Sequence, residues 1–163
     1  MNAAHNRWWQ VSEVVFGVPL LAALLLQVVV PIAFPYGSFA PVLILAGVLM
    51  ILLGIWLIAQ ARREFARQGQ HTDPGHPTTG LVTSGIFSFS RNPLYLGCVC
   101  LVAGIGLAAN LPWVLVSLLP AVVACHIILI APEEHYLSAR FGEEYARYTA
   151  SVNRWIGRTR KKL

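Results

Sequence analysis

Two polar stretches of this sequence contain the residue types that could bind a charged ligand or take part in a reaction. The first is residues 81–97, LVTSGIFSFSRNPLYLG, and the second is the acidic pair Glu133-Glu134. Arginine and asparagine donate hydrogen bonds, tyrosine offers a hydroxyl and an aromatic face, and paired carboxylates can bind an ammonium group or sugar hydroxyls. Because the surrounding sequence is almost entirely apolar, these stretches hold most of the chemistry open to the chain.

The Arg91-Asn92-Pro93 segment has two interpretations. As local structure, the asparagine caps a helix whose first residue is proline, and the arginine extends to a membrane interface. As a binding site, the free N–H groups at that helix start could receive a ligand's carboxylate. Tyr95 and Phe87 would then add aromatic surface for a flat base.

The acidic pair also has two interpretations. Because Pro132 favours a helix start, Glu133 and Glu134 would lie in a first turn, where the helix dipole stabilises an acidic residue by about 0.3–1 kcal/mol. If the preceding helix instead continues past Pro132, His126 and Ile130 share a face with one of the acids, and polar groups lead down from the interface. His126 is then a candidate base or acceptor-binding residue, and otherwise a packing residue.

The motifs of common soluble enzymes are missing, because the sequence has no GxGxxG, P-loop, HExxH or GxSxG segment. The three cysteines lie in apolar runs without metal-ligand spacing, at Cys98, Cys100 and Cys125. We therefore expect neither a metal site nor a disulfide. An enzyme with this sequence would need a site embedded in a membrane.

The composition is typical of a membrane protein. Of the 163 residues, 56% are hydrophobic and only 12% are charged, whereas a soluble domain has about a quarter charged residues. The net charge of +5 could suggest nucleic acid as a partner. The basic residues lie beside apolar runs, however, as membrane topology requires, so we expect the lipid bilayer and no nucleic acid as a partner.

The apolar runs predict an all-α integral membrane protein with four transmembrane helices in a single domain, residues 1–163. A run of this kind crosses ~30 Å of hydrocarbon at ~1.5 Å per residue. The predicted spans are residues 14–34, 39–60, 93–110 and 113–130. Residues 61–92 form a long polar loop. Residues 132–163 are amphipathic and predict short interfacial helices, which Gly142 divides.

Small residues recur at helical spacing in the second and third spans, at Gly47, Gly54, Cys100, Gly104 and Ala108. Such spacing lets two helix backbones approach closely. Residues 110–112 leave room only for a reversal, so the third and fourth spans form an antiparallel hairpin.

The distribution of basic residues predicts the topology. They fall in the N-terminal segment, the long loop and the C-terminal segment, while the turns at 35–38 and 109–112 carry none. The positive-inside rule therefore predicts cytoplasmic N- and C-termini, with the long loop and the acidic pair on the same side. We expect a multi-pass protein of a prokaryotic plasma membrane.

Residues 81–97, followed by EEHYLSARFGEEYARYTASVNRW, resemble the signature of the isoprenylcysteine carboxyl methyltransferase and phospholipid N-methyltransferase superfamily. The resemblance covers residues 79–155, with matching order and spacing in both blocks. It implies an integral-membrane methyltransferase that uses S-adenosylmethionine without a Rossmann fold. The N-terminal half resembles the superfamily only in its hydrophobic character.

The resemblance also implies which residues bind S-adenosylmethionine. The matching positions are Thr79, Gly80, Leu81, Val82, Phe87, Asn92, Pro93, Leu94, Tyr95, Glu133 and Glu134. Carboxylates suit the amine and ribose hydroxyls of that cofactor, and an aromatic ring suits its adenine. Methyl transfer is an in-line displacement that mainly requires alignment and exclusion of water, so no catalytic triad is expected. Arg91 and His126 are the candidates to lie near the methyl acceptor.

Two departures from the superfamily concern the acceptor. The common Arg-His-Pro is Arg-Asn-Pro here, which replaces a titrating imidazole with Asn92. The eukaryotic carboxyl methyltransferases also carry an arginine one turn before the paired acids, where this chain has Leu129-Ile130. The acceptor class therefore stays open between an isoprenylcysteine-like carboxylate, a lipid amine and a thiol.

We accordingly predict an S-adenosylmethionine-dependent methyltransferase that acts on a lipophilic acceptor at the cytoplasmic face. Two alternatives remain open: a membrane reductase of the sterol-reductase type, which would use NADPH, and a non-catalytic membrane scaffold. Binding of S-adenosylhomocysteine would separate the methyltransferase from both. The catalytic residues and the oligomeric state stay open.

Overall fold

The computed structural model describes residues 11–69 and 80–159, and within them it confirms the predicted all-α class. The α-helices are α1 (Ser12–Val29), α2 (Ala40–Arg67), α3 (Pro93–Ala108), α4 (Pro112–Ala124), α5 (Ala131–Phe141) and α6 (Glu143–Ser151). A π-helical turn, Cys125–Ile130, joins α4 to α5. Gly142 separates α5 from α6 with a positive φ of 49°, as the sequence predicted.

Among the described residues, three helical stretches are long and apolar enough to cross a membrane, fewer than the four that the sequence predicted. They are Ser12–Val29, Gly37–Arg67 and Pro112–Phe141. The third predicted span corresponds to α3, which has only 16 residues and therefore extends about 24 Å at ~1.5 Å per residue. Pro93 fixes its first position, and the left-handed Asn110 (φ 54°) follows its end.

The ends of the first two helices also differ from the predicted spans. α1 ends at Val29, because Pro31 disfavours helical backbone at the residue before it. α2 continues to Arg67, so its last turns contain arginines that the sequence assigned to the loop. Basic side chains at a helix C-terminus complement the helix dipole, which favours this extension.

The α3–α4 hairpin lies between the other two long helices, with α2 packed on α3 and α1 packed on α4. The predicted small-residue faces are confirmed as the α2–α3 contact. A Cβ atom built on Gly47 would lie 2.5 Å from the backbone nitrogen of Ala108. A Cβ atom on Gly54 would lie 2.7 Å from the carbonyl oxygen of Gly97. The two backbones therefore touch where these glycines face each other.

The two short turns lie together at one end of the bundle. The Asn110 side chain accepts a hydrogen bond from the Phe34 N–H at 2.9 Å and donates one to the Phe34 carbonyl at 3.0 Å. The Trp113 indole donates to the Val30 carbonyl at 2.9 Å. Since both turns occupy this end, residues 80–92 and helices α5 and α6 are at the other end.

Candidate active site

The loop of residues 80–92 is packed between α2 and α6. Val82 and Phe87 are buried beside Ala61 of α2, and the Phe87 ring centroid lies 5.0 Å from that of Phe65. From α6, the Tyr148 hydroxyl donates to the Phe87 carbonyl oxygen at 2.7 Å. Burial raises the pKa of the Tyr148 hydroxyl, so this phenol stays protonated and remains a donor. The loop is thus fixed from both sides.

A buried glutamate that the sequence did not single out orders the start of this loop. Glu64 of α2 is 8% exposed and accepts a hydrogen bond from the Ser84 hydroxyl. Arg67 lies 3.5 Å from the same carboxylate. Gly85 has a φ of +57°, and a Cβ atom there would lie 2.7 Å from Glu64 Oε2. This contact could not be predicted from the sequence, because the arginines next to Glu64 in the chain indicated a solvated loop.

The start of α3 differs from its predicted capping. Pro93 occupies the first helical position as expected, and Asn92 occupies the N-cap position. The Asn92 side chain, however, does not cap the helix, and its Nδ2 atom donates to the Arg154 carbonyl oxygen at 3.0 Å. Asn92 is 8% exposed. It therefore joins the helix start to the C-terminal segment of the chain.

The C-terminal segment, residues 152–159, folds back as a hairpin over this loop, a feature that the sequence did not predict. Val152 and Arg158 form an antiparallel bridge. The Arg91 N–H donates to the Asn153 carbonyl at 3.2 Å, and the Gly157 N–H donates to the Phe89 carbonyl at 2.8 Å. The amphipathic pattern of residues 132–163 had predicted short interfacial helices here instead. Asn153 and Gly157 are residue types that favour turns, so they were the features of the sequence that could have indicated this hairpin.

Glu134 is clamped by two arginines, Arg91 and Arg154. Arg91 Nη1 lies 3.0 Å from Glu134 Oε1. Arg154 makes a bidentate contact, with Nε 2.9 Å from Oε1 and Nη2 2.7 Å from Oε2. These hydrogen bonds raise the pKa of Arg154. The Arg91 guanidinium also donates to the Tyr145 hydroxyl at 3.3 Å, and burial raises the pKa of that phenol.

Glu133 has different surroundings from its neighbour. The Tyr95 hydroxyl donates to Glu133 Oε2 at 3.2 Å. Within the described ranges, Glu133 has no basic side chain in salt-bridge contact, whereas Glu134 has two. The two acids therefore differ in their electrostatic surroundings: Glu134 is neutralised by arginines, whereas Glu133 is able to accept a cation.

The predicted line of polar groups from His126 to the acids remains a prediction. The helix does continue past Pro132, as Pro112–Phe141. Ile130 is fully buried, but His126 is exposed. The π-helical turn at Cys125–Ile130 has more residues per turn than an α-helix, so it changes which positions before and after it share a face. His126 still contributes to the electrostatic surroundings of Glu134.

The predicted binding residues fall into two neighbouring groups on either side of the start of α3. Arg91, Asn92, Tyr95 and the two acids meet where α3 faces α5 and the C-terminal hairpin. Leu94 joins the cluster of Val82 and Phe87 against α2, and Leu81 packs against the tyrosines of α6. Gly80 lies at the edge of the described loop, and Thr79 lies outside the described residues.

These features define an all-helical protein with membrane-length helices and a polar, partly buried site at one end. A family model described as phospholipid methyltransferase matches residues 42–144, which is more than half of the chain. The chain therefore belongs to the phospholipid methyltransferase family, a membrane methyltransferase family related to the superfamily that its sequence resembles. Comparison with curated proteins gave no significant match, and neither did comparison with solved structures.

Proposed function

We propose that this protein is an S-adenosylmethionine-dependent methyltransferase that acts on a lipophilic acceptor at the cytoplasmic face of a membrane. Family membership supports methyl transfer. The observation that carries the cofactor assignment is the difference in surroundings between Glu133 and Glu134. Glu134 is already neutralised by Arg91 and Arg154, whereas Glu133 is contacted by a neutral tyrosine hydroxyl. Glu133 is therefore the carboxylate that can receive the ammonium group of the cofactor.

The remaining residues of the site fit such a ligand. Arg91 Nε is buried and has no hydrogen-bond partner among the described residues, so it can donate to a ligand oxygen near the acceptor. Phe87 is buried against Phe65, so we assign it to shaping the loop around the cofactor. When bound, the cofactor supplies a methyl group on a sulfonium centre. The residues of this chain orient the two reactants and exclude water.

We further propose that α3 is a fourth membrane crossing and that both termini are cytoplasmic. α3 is apolar and lies between α2 and α4, which cover two of its sides. Arg62, Arg63 and Arg67 lie at the end of α2 next to the site, and the two turns at the other end carry no charge. This distribution follows the positive-inside rule.

A lipid amine fits the site better than an isoprenylcysteine-like carboxylate does. Glu134 already engages Arg91 Nη1 and Arg154 Nε and Nη2, so a carboxylate acceptor would have to compete for those donors. The description of the matched family also names phospholipids. Tritium transfer from labelled S-adenosylmethionine to phosphatidylethanolamine or to N-acetyl farnesylcysteine, each in mixed micelles, compares the two classes directly.

Calorimetric titration of the detergent-solubilised protein tests the cofactor assignment. We expect S-adenosylhomocysteine to bind and NADPH to give no heat. Glu133→Gln should weaken S-adenosylhomocysteine binding, while Glu143→Gln, on an exposed residue of α6, should bind as the parent does. Heat from NADPH alone would indicate the reductase alternative. The absence of heat from either ligand, at concentrations well above micromolar, would refute the methyltransferase and favour the scaffold.

A further inference from the structure

Tyr136 of α5 has a buried hydroxyl to which no described residue is hydrogen-bonded. The residue is 8% exposed, and its hydroxyl has no hydrogen-bond partner among the residues that the structure describes. Buried polar groups in native proteins are nearly always hydrogen-bonded, so each exception needs a reason. A phenylalanine would fill the same space without this unsatisfied group. The hydroxyl is therefore available to a partner outside the described residues, such as a ligand.

The position of Tyr136 relates it to the unclamped acid. Tyr136 follows Glu133 by three residues on one helix, so the two side chains lie on the same face, about 5–6 Å apart at their Cβ atoms. Glu134 is directed elsewhere, toward Arg91 and Arg154. The face of Glu133 and Tyr136 thus combines a carboxylate with a neutral donor one helical turn away.

This combination is complementary to an α-amino acid group, in which an ammonium and a carboxylate are attached to the same carbon. A carboxylate binds the ammonium, and a hydroxyl can donate to a carboxylate oxygen without adding charge to a partly buried site. We propose that Tyr136 binds the carboxylate of the cofactor's amino acid end while Glu133 binds its ammonium. This assignment rests on the proposed use of S-adenosylmethionine, and it makes Tyr136 a further cofactor-binding residue.

The test compares two ligands on three proteins. The ligands are S-adenosylhomocysteine and its decarboxylated analogue, which lacks only the carboxylate. The proteins are the parent, Tyr136→Phe and the control Tyr36→Phe. Tyr36 is also a tyrosine with a partly buried hydroxyl, but it donates to the Leu107 carbonyl at 2.8 Å at the opposite end of the bundle. Calorimetry gives each dissociation constant, and unfolding in detergent gives each stability.

We expect Tyr136→Phe to raise the dissociation constant for S-adenosylhomocysteine about tenfold, since it removes one hydrogen bond to a charged group. The same substitution should leave binding of the decarboxylated analogue unchanged and should not lower stability. Tyr36→Phe should lower stability and leave both dissociation constants unchanged.

Two results would overturn the role of Tyr136. One is unchanged binding of S-adenosylhomocysteine by Tyr136→Phe, and the other is an equal loss for both ligands, which indicates a general disturbance of the site. A parent protein that binds neither ligand would instead refute the proposed function, and the role of Tyr136 with it. The two failures are therefore distinguishable.

Discussion

The clamp on Glu134 is the interaction on which the geometry of the site depends, and Glu134→Gln removes its charge. Its side chain is 22% exposed, that of Arg91 is 13% exposed and that of Arg154 is 39% exposed. Exposed ion pairs contribute about 0.2–1 kcal/mol, and breaking a buried pair costs about 3–5 kcal/mol. Because this clamp is intermediate in exposure, we expect Glu134→Gln to lower the free energy of unfolding by about 1–3 kcal/mol.

A double-mutant cycle isolates this contribution. The free energy of unfolding is measured in mixed detergent micelles for the parent, Glu134→Gln, Arg154→Gln and the double variant. The bidentate contact predicts a coupling energy above about 0.5 kcal/mol between the two positions. Glu143→Gln serves as the control because its side chain is exposed on α6. The reasoning fails if Glu134→Gln has the same free energy of unfolding as the parent, or if the effects of the two substitutions on that free energy are additive. The clamp would then not hold the C-terminal hairpin, residues 152–159, in place.

Three further predictions concern the scaffold. Gly54→Ala should lower the free energy of unfolding by about 1–3 kcal/mol, because its Cβ would lie 2.7 Å from a carbonyl oxygen of α3. Gly17→Ala in α1, where a Cβ would have nothing within 4 Å, should raise that free energy by about 0.5–1 kcal/mol. The opposite order of stabilities would contradict the α2–α3 contact. Gly85→Ala should also lower the free energy of unfolding and should increase proteolysis of residues 80–92, since Gly85 has a φ of +57° and faces the Glu64 carboxylate of α2. Unchanged protease sensitivity would argue against that contact. Trp113→Phe should cost about 1 kcal/mol by removing the hydrogen bond to Val30, and equal denaturation midpoints for parent and variant would show that the two turns are not joined there.

The sequence allowed the helical class and the main helix contact to be predicted because both depend on local pattern. Apolar runs of membrane length identify the helices wherever the chain has few breaks. Gly47 and Gly54 recur on one face of α2, and the structure places them against the glycine-containing face of α3. The length of α3 was overestimated by two residues, because Ala109 continues the apolar run although the helix ends at Ala108 and the backbone turns at Asn110.

The sequence could not show how the site is held because its partners are distant in the chain. Asn92 was predicted to cap its own helix, but it donates to the carbonyl of Arg154 instead. The Arg154 side chain in turn reaches Glu134. These contacts depend on the reversal at Gly142 and on the turn at Gly157, both of which have positive φ. A glycine in a sequence indicates that a turn is allowed there, but it does not indicate which residues the turn brings together.

The π-helical turn explains why the polar face of the last long helix could not be located from periodicity. In an unbroken α-helix, His126 and Glu133 would share a face, since they are two turns apart. In the structure Ala121 is the last buried position before the turn, and Cys125, Leu129 and Ile130 are buried within it. Across this wider turn Ile130 is buried, whereas His126 is exposed and still acts electrostatically on Glu134. Glu133 and then Tyr136 follow Ile130 at successive three-residue intervals, so the face that we assign to the cofactor depends on a backbone irregularity that no residue in CHIILI indicates.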